Sequence, residues 1–206
     1  MNRKHWLIYG IIISLALLII ATIVYPGGSY ASANTTGFDW GNNYLCNLFS
    51  PKAINGADNT SRIWAISGWC LLCACYVAFF IDFSKRIPAK GAAANIIRYT
   101  GIGAMVFAFL AVTPYHDIMV TIADTLGLLC AFYIMVFTFK ARLHLLGILS
   151  VITLLLSYLM TYIYYSQQFI QILPVVQKVG IVTEVIWVLS LHYGARAEDF
   201  QVKEAA

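Results

Sequence analysis

Six stretches of the chain are apolar almost without interruption: 6–25, 63–82, 97–114, 118–139, 145–164 and about 172–193. Each approaches the ~20 residues that a helix needs to cross the hydrocarbon core of a bilayer. None shows the period-two alternation of a barrel strand, and in lipid a continuous apolar run must satisfy its backbone internally, as a helix. The pattern predicts an all-α, polytopic membrane protein: a single domain over 1–206, with six transmembrane helices in one bundle.

Composition agrees with the pattern. Of 206 residues, 61% are hydrophobic and 11% charged, and the mean hydropathy is +0.77. Soluble domains run at roughly 45–50% apolar and 25% charged, so an ordinary soluble domain is excluded. Charge then gives an orientation. Placing the N-terminus inside puts Arg3, Lys4, Lys85, Arg86, Lys90, Arg98, Lys140, Arg142, Arg196 and Lys203 on the inner side, against Lys52, Arg62 and Lys178 outside. Ten against three predicts a cell-membrane protein with both termini cytoplasmic. The net charge of +4 is accounted for by this bias and by the anionic inner leaflet, with no nucleic-acid partner. Arg3-Lys4, the first apolar run and Ala31-Ser32-Ala33 imitate a signal peptide, but the run exceeds the 7–15 residues of such a core, which favours a retained helix.

Inner connections are short, and the outer segment 26–62 is the exception. Pro26-Gly27-Gly28 ends the first helix. Beyond it, 38–49 mixes aromatic and amide side chains, with Asp39, Trp40, Asn43 and Asn47 among them. Trp and Tyr favour the membrane interface, so a structured cap over the bundle is expected rather than a floppy loop. Asn34-Thr35-Thr36 and Asn59-Thr60-Ser61 have the spacing of glycosylation acceptors.

Polar residues inside the apolar runs carry the functional information. Asp117, Thr121 and Asp124 share one face of the fourth helix, and Gln177, Gly180 and Glu184 share one face of the sixth. Ser150, Thr153, Ser157, Thr161 and Tyr164 form a polar seam on the fifth. Intramembrane carboxylates are costly and face a partner or a cavity. Two readings follow. Asp124 and Glu184 either glue helices together, protonated or paired with Lys178 or Arg62, or they line a ligand cavity with Ser157 and Thr161, where Lys178 and Arg62 meet an anionic group. Ala104, Ala108 and Ala111 on the third helix suit close helix packing.

His116-Asp117, in the turn before the fourth helix, is a candidate acid–base pair. His5, His144 and His192 map to the other side of the membrane, which argues against a three-histidine zinc centre; no residue is assigned to a metal and no motif specifies a cofactor. Cys70-Leu71-Leu72-Cys73 has redox-motif spacing but lacks a charged activator.

Pro26-Gly27-Gly28, Asn43-Tyr44-Leu45-Cys46-Asn47-Leu48 and His116-Asp117 together resemble an uncharacterised family of six-helix, mainly bacterial membrane proteins, catalogued as domain of unknown function 998. Members often carry a Ser-Asp-Leu-Gly-like element after the first helix; here Cys46-Asn47-Leu48-Phe49 replaces its acid with an amide. The resemblance implies the six-helix fold and a polar outer site, and brings no known reaction. The layout is also similar, more distantly, to membrane hydrolases of the alkaline ceramidase type, whose histidine-rich zinc site this chain does not match.

Two functions are expected from these residues. The first is binding of a lipid headgroup, small solute or cation in a polar, acid-lined cavity open to the outer face, with the Trp40 segment as lid. The second is an intramembrane lipid-modifying hydrolase using His116 and Asp117.

Overall fold

The computed structural model describes residues 5–88 and 92–201. Arg3, Lys4, Lys90 and Lys203 lie outside them. The described residues form an all-helical bundle: α1 (Trp6–Ile23), a 3-10 turn (Leu45–Phe49), α2 (Arg62–Ser84), α3 (Ala93–Leu110), α4 (His116–Lys140), α5 (His144–Ser166), a second 3-10 turn (Ile170–Ile172), α6 (Leu173–Gly194) and the short α7 (Ala197–Phe200). Six helices are long and apolar enough to cross a membrane. The chain thus fits a multi-pass integral membrane protein.

The helix ends follow local chemistry more closely than hydropathy does. The third helix occupies 93–110 instead of 97–114. Its first turn, Ala93-Ala94-Asn95-Ile96, holds one polar residue, Asn95, which interrupts the apolar run without ending the helix, and its last turn stops where the Thr113 hydroxyl donates to the Leu110 carbonyl, just before Pro114. At the start of α6, Pro174 occupies a first-turn position, where its missing N–H costs nothing.

Consecutive helices pack side by side, and α6 returns against α1 and α2, so that α2 to α6 form a ring with α1 outside it. The α1–α2 contact is close. The Ser14 hydroxyl donates to the Gly68 carbonyl at 2.6 Å, and a Cβ on Gly68 would stand 2.9 Å from the Ser14 carbonyl oxygen. At the end of the bundle where α1 begins and α6 ends, Leu7, Ile11, Phe79, Phe83, Ile97, Ile134, Val188 and Leu191 pack into a continuous apolar plug. Arg86 closes this end. Its guanidinium donates to the carbonyls of Leu191, His192 and Ala195 and pairs with Asp82 at 2.6 Å, satisfying backbone oxygens that the end of α6 leaves free.

The opposite end is covered by the segment between α1 and α2, which is a folded cap. Gly27 and Gly28 take positive φ angles, and a Cβ on Gly28 would lie 2.7 Å from the Ile54 carbonyl carbon. Tyr25, Leu48, Phe49, Ala53 and Ala65 give the cap its own small core. Two buried amides hold its backbone. Asn43 donates to the Gly28 carbonyl at 2.9 Å and accepts from the Asp39 N–H at 2.8 Å. Asn59 donates to the carbonyls of Asn47, Leu48 and Ser50 at 3.2, 3.1 and 2.8 Å. With its nitrogen committed to these bonds, Asn59 is no glycan acceptor in the folded protein, whereas Asn34 is exposed.

Candidate functional site

Inside the ring, beneath the cap, lies a cavity of about 780 Å³. Its lining includes His116, Asp117, Asp124, Glu184, Arg62, Asn47, Ser157 and Thr161, which α2, α4, α5, α6 and the cap bring together. The polar faces expected on α4 and α5 do converge: Thr121 joins the two aspartates, and Thr153 and Tyr164 join Ser157 and Thr161. On α6, Gln177 and Glu184 border the cavity, while Gly180 packs on Met160, whose Cε would lie 2.9 Å from an added Cβ.

Lys178, Asp39, Trp40 and Asn43 stand outside the lining. Lys178 donates to the Asn43 carbonyl at 2.6 Å and the Pro174 carbonyl at 2.8 Å, and its ammonium sits 5.6 Å from the Phe38 ring centroid. Its charge therefore fastens the cap to α6. Asp39 caps a turn by accepting from the Gly41 and Asn42 N–H groups and the Asn42 side chain; the Asn42 amide first, then these backbone donors, hold its carboxyl below the usual range. Trp40 is exposed and meets Phe38 edge to face. Arg62 borders the mouth while its Nε donates to the Phe49 carbonyl at 3.0 Å, and Gln177 accepts from the Leu45 N–H at 2.9 Å. These two bonds tie the 3-10 turn of the cap to α2 and α6.

The mouth and the floor differ in character. At the mouth, His116 Nδ1 and Asp117 Oδ1 are 3.0 Å apart, Tyr164 lies against Asp117, and the Thr121 and Tyr165 hydroxyls meet at 2.5 Å. The polar side chains of His116, Asp117, Thr121 and Tyr165 each have a protein partner here. Deeper in, partners run out. Counting 1.5 Å per residue from the capped end, Asp124 is about 12 Å down α4, Glu184 about 16 Å down α6 and Tyr76 about 21 Å down α2.

Asp124 receives one long hydrogen bond, from Thr161 at 3.4 Å. Glu184 has no hydrogen bond or ion pair with any described residue, and interacts electrostatically with Asp124 across the space. The Tyr76 hydroxyl is buried without a hydrogen-bond partner, within electrostatic reach of Glu184. A buried hydroxyl left unsatisfied costs about 1–3 kcal/mol. Of the two forms of the glue reading, pairing with Lys178 or Arg62 does not occur, since neither basic side chain meets the acids; a protonated acid fits the Thr161–Asp124 bond between α5 and α4. Trp187 completes the floor, with its indole N–H spent on the Ser150 hydroxyl at 2.8 Å.

Several of these residues were not singled out by sequence. Tyr76 sits among aromatics on α2 and reads as core. Trp187 and Tyr165 look like interfacial or packing residues. Ala104, Ala108 and Ala111 all border the cavity, so the small side chains expected to tighten packing also leave space. Among the described residues no three His, Cys, Asp or Glu side chains are grouped closely enough to share a metal ion. All five cysteines are free, with Cys70 exposed and Cys73 buried.

Cys46 lies in the cap and borders the cavity, and burial pushes its thiol up to about 11. Its thiolate fraction near pH 7 is then about a hundredfold below that of an ordinary thiol at 9.0, and the thiolate is the reacting form. Maleimide labelling of Cys46 in a variant lacking the other four cysteines is expected to be correspondingly slow at pH 7 and to accelerate toward pH 11. Labelling at the rate of a free peptide thiol would show that the cap does not bury it.

No family model, curated protein or solved structure matches this chain.

Proposed function

We infer that this integral membrane protein binds a lipid headgroup, small solute or cation in the acid-lined cavity, which opens to the outer face when the cap moves. The observation that carries the reading is the pair of carboxylates, Asp124 and Glu184, facing one enclosed space without a basic partner. Intramembrane acids are expensive in isolation, and a complementary ligand offsets that cost. The outer placement of the cap rests on the distribution of basic residues, and kinship with the six-helix family of unknown function rests on the elements around Pro26 and His116.

Purified in native nanodiscs, the parent protein is expected to carry a bound small molecule or lipid visible by native mass spectrometry. Asp124→Asn and Glu184→Gln should insert and fold but lose it. If both variants keep the ligand and simply melt earlier, the acids hold helices together and the reading fails. A second reading, a lipid-modifying hydrolase, draws support from the His116–Asp117 contact on the cavity rim. Incubating the same preparations with extracted lipids tests it: the hydrolase reading requires a product that His116→Ala abolishes.

A further inference from the structure

We propose that the ligand of this cavity is a primary aliphatic amine, seated with its ammonium between Asp124, Glu184 and Tyr76. The proposal rests on the binding reading above and specifies the chemistry of its occupant. An ammonium carries one positive charge and three N–H donors. The floor is rich in acceptors and poor in cations: two carboxylates that lack basic partners, one of them taking a long bond from Thr161, and a phenol with no hydrogen bond, whose oxygen can accept from an ammonium while its O–H faces the acids. Tyr76 is the independent sign of a missing partner, being 4% exposed, a lining residue, and unsatisfied at its hydroxyl.

An anion does not suit this place, because the two acids repel it and the basic side chains lie elsewhere. Lys178 is tied to the cap, and Arg62, at the start of α2, stands about 21 Å from the level of Tyr76. That separation also argues against a compact zwitterion spanning both groups. The remaining walls, among them Leu72, Met105, Leu128, Met160 and Ile181, are apolar and suit a hydrocarbon chain trailing toward the mouth. Trp187 adds an aromatic ring near the floor, fixed by Ser150, and aromatic faces favour cations.

The test uses the full-length protein in phosphatidylcholine nanodiscs, with empty discs subtracted and tryptophan fluorescence as the readout, since Trp69 and Trp187 border the cavity. Hexylamine, hexyltrimethylammonium and hexanol share a chain and differ in charge and N–H donors. Hexylamine is expected to bind about tenfold or more tighter than either analogue, the scale of a charge-assisted hydrogen bond. Glu184→Gln should erase that preference. Tyr76→Phe, which keeps the ring, should weaken hexylamine severalfold and leave hexanol unchanged. Equal binding of the three probes to the parent, or trimethylammonium binding best, overturns the amine assignment. If a Gly127→Leu variant still blocks those probes, the cavity itself survives as a binding site. If no probe binds, or if binding ignores Gly127→Leu, the binding reading fails and the amine assignment with it. Adding octadecylamine, a bilayer-resident amine without an anionic group, to the discs separates two sources of the same group: a drop in hexylamine affinity identifies a lipid amine as occupant, and unchanged affinity identifies a free amine.

Discussion

Asn59→Asp is expected to destabilise the cap by about 3 kcal/mol or more, although the side chain keeps its size. In the parent, the Asn59 amide nitrogen donates to three backbone carbonyls, of Asn47, Leu48 and Ser50, and its oxygen accepts from the N–H and hydroxyl of Ser61. Aspartate retains the acceptor and removes the donor, so a carboxylate would face three carbonyl oxygens in a buried site. Each lost bond to a buried acceptor carries a desolvation cost, and the new charge adds repulsion. The six helices have separate packing, so the loss should localise. Protease accessibility of 26–61 should rise while helical circular dichroism persists, and the Cys46 thiol should become reactive. A variant with the parent's proteolysis pattern would show that the cap does not depend on this amide. Asn59→Ala leaves the carbonyls unsatisfied without the charge, and should fall between the two.

The reason the sequence could not show this is that the cap is held by contacts between residues far apart in the chain. Trp, Tyr and amide side chains between 38 and 49 announce an interfacial segment, and their density argues for order. Nothing local says that Lys178, 135 positions beyond Asn43, will reach its carbonyl, or that Gln177 will take the Leu45 N–H. Lys178 beside a carboxylate-bearing face reads either as a partner of the buried acids or as a ligand contact, because those are the tasks its own helix suggests. The backbone oxygens that receive it belong to a loop whose path is set by Gly27, Gly28 and Asn43.

The bundle was far more legible, for a physical reason. The bilayer imposes a length and a polarity on each span, so hydropathy reads the constraint directly. It reads the apolar core and not the helix, which is why α3 begins four residues before its apolar run. The acids were legible for the same reason, since the seven-residue step from Asp117 to Asp124 brings both to one face of any helix. Tyr76 was not, because a tyrosine on an aromatic-rich span is ordinary. Only its missing hydrogen bond distinguishes it, and that is a property of its neighbours.

Gly127→Leu is expected to keep the empty protein at least as stable as the parent and to abolish ligand binding. Gly127 lies in the middle of α4 and borders the cavity, and a Cβ added there meets nothing closer than the Ala104 Cβ at 4.0 Å. Removing a glycine from a helix interior favours the helix by about 0.8–1 kcal/mol. A leucine side chain would also gain dispersion contacts with walls that now face space. Neither effect touches a charge or a hydrogen bond, which separates this variant from Asp124→Asn or Glu184→Gln, where lost binding and altered electrostatics arrive together. At Gly101, by contrast, an added Cβ would lie 2.5 Å from the Phe80 ring. Gly101→Leu should therefore destabilise through a clash and serves as the opposite control. Melting curves in detergent and native mass spectra of both variants give the comparison. An unchanged melting temperature or a rise, together with loss of the bound species, is the signature of a filled binding cavity. A fall in melting temperature with the ligand retained would mean that helices α3 and α4 close against each other at this level and that the ligand resides elsewhere.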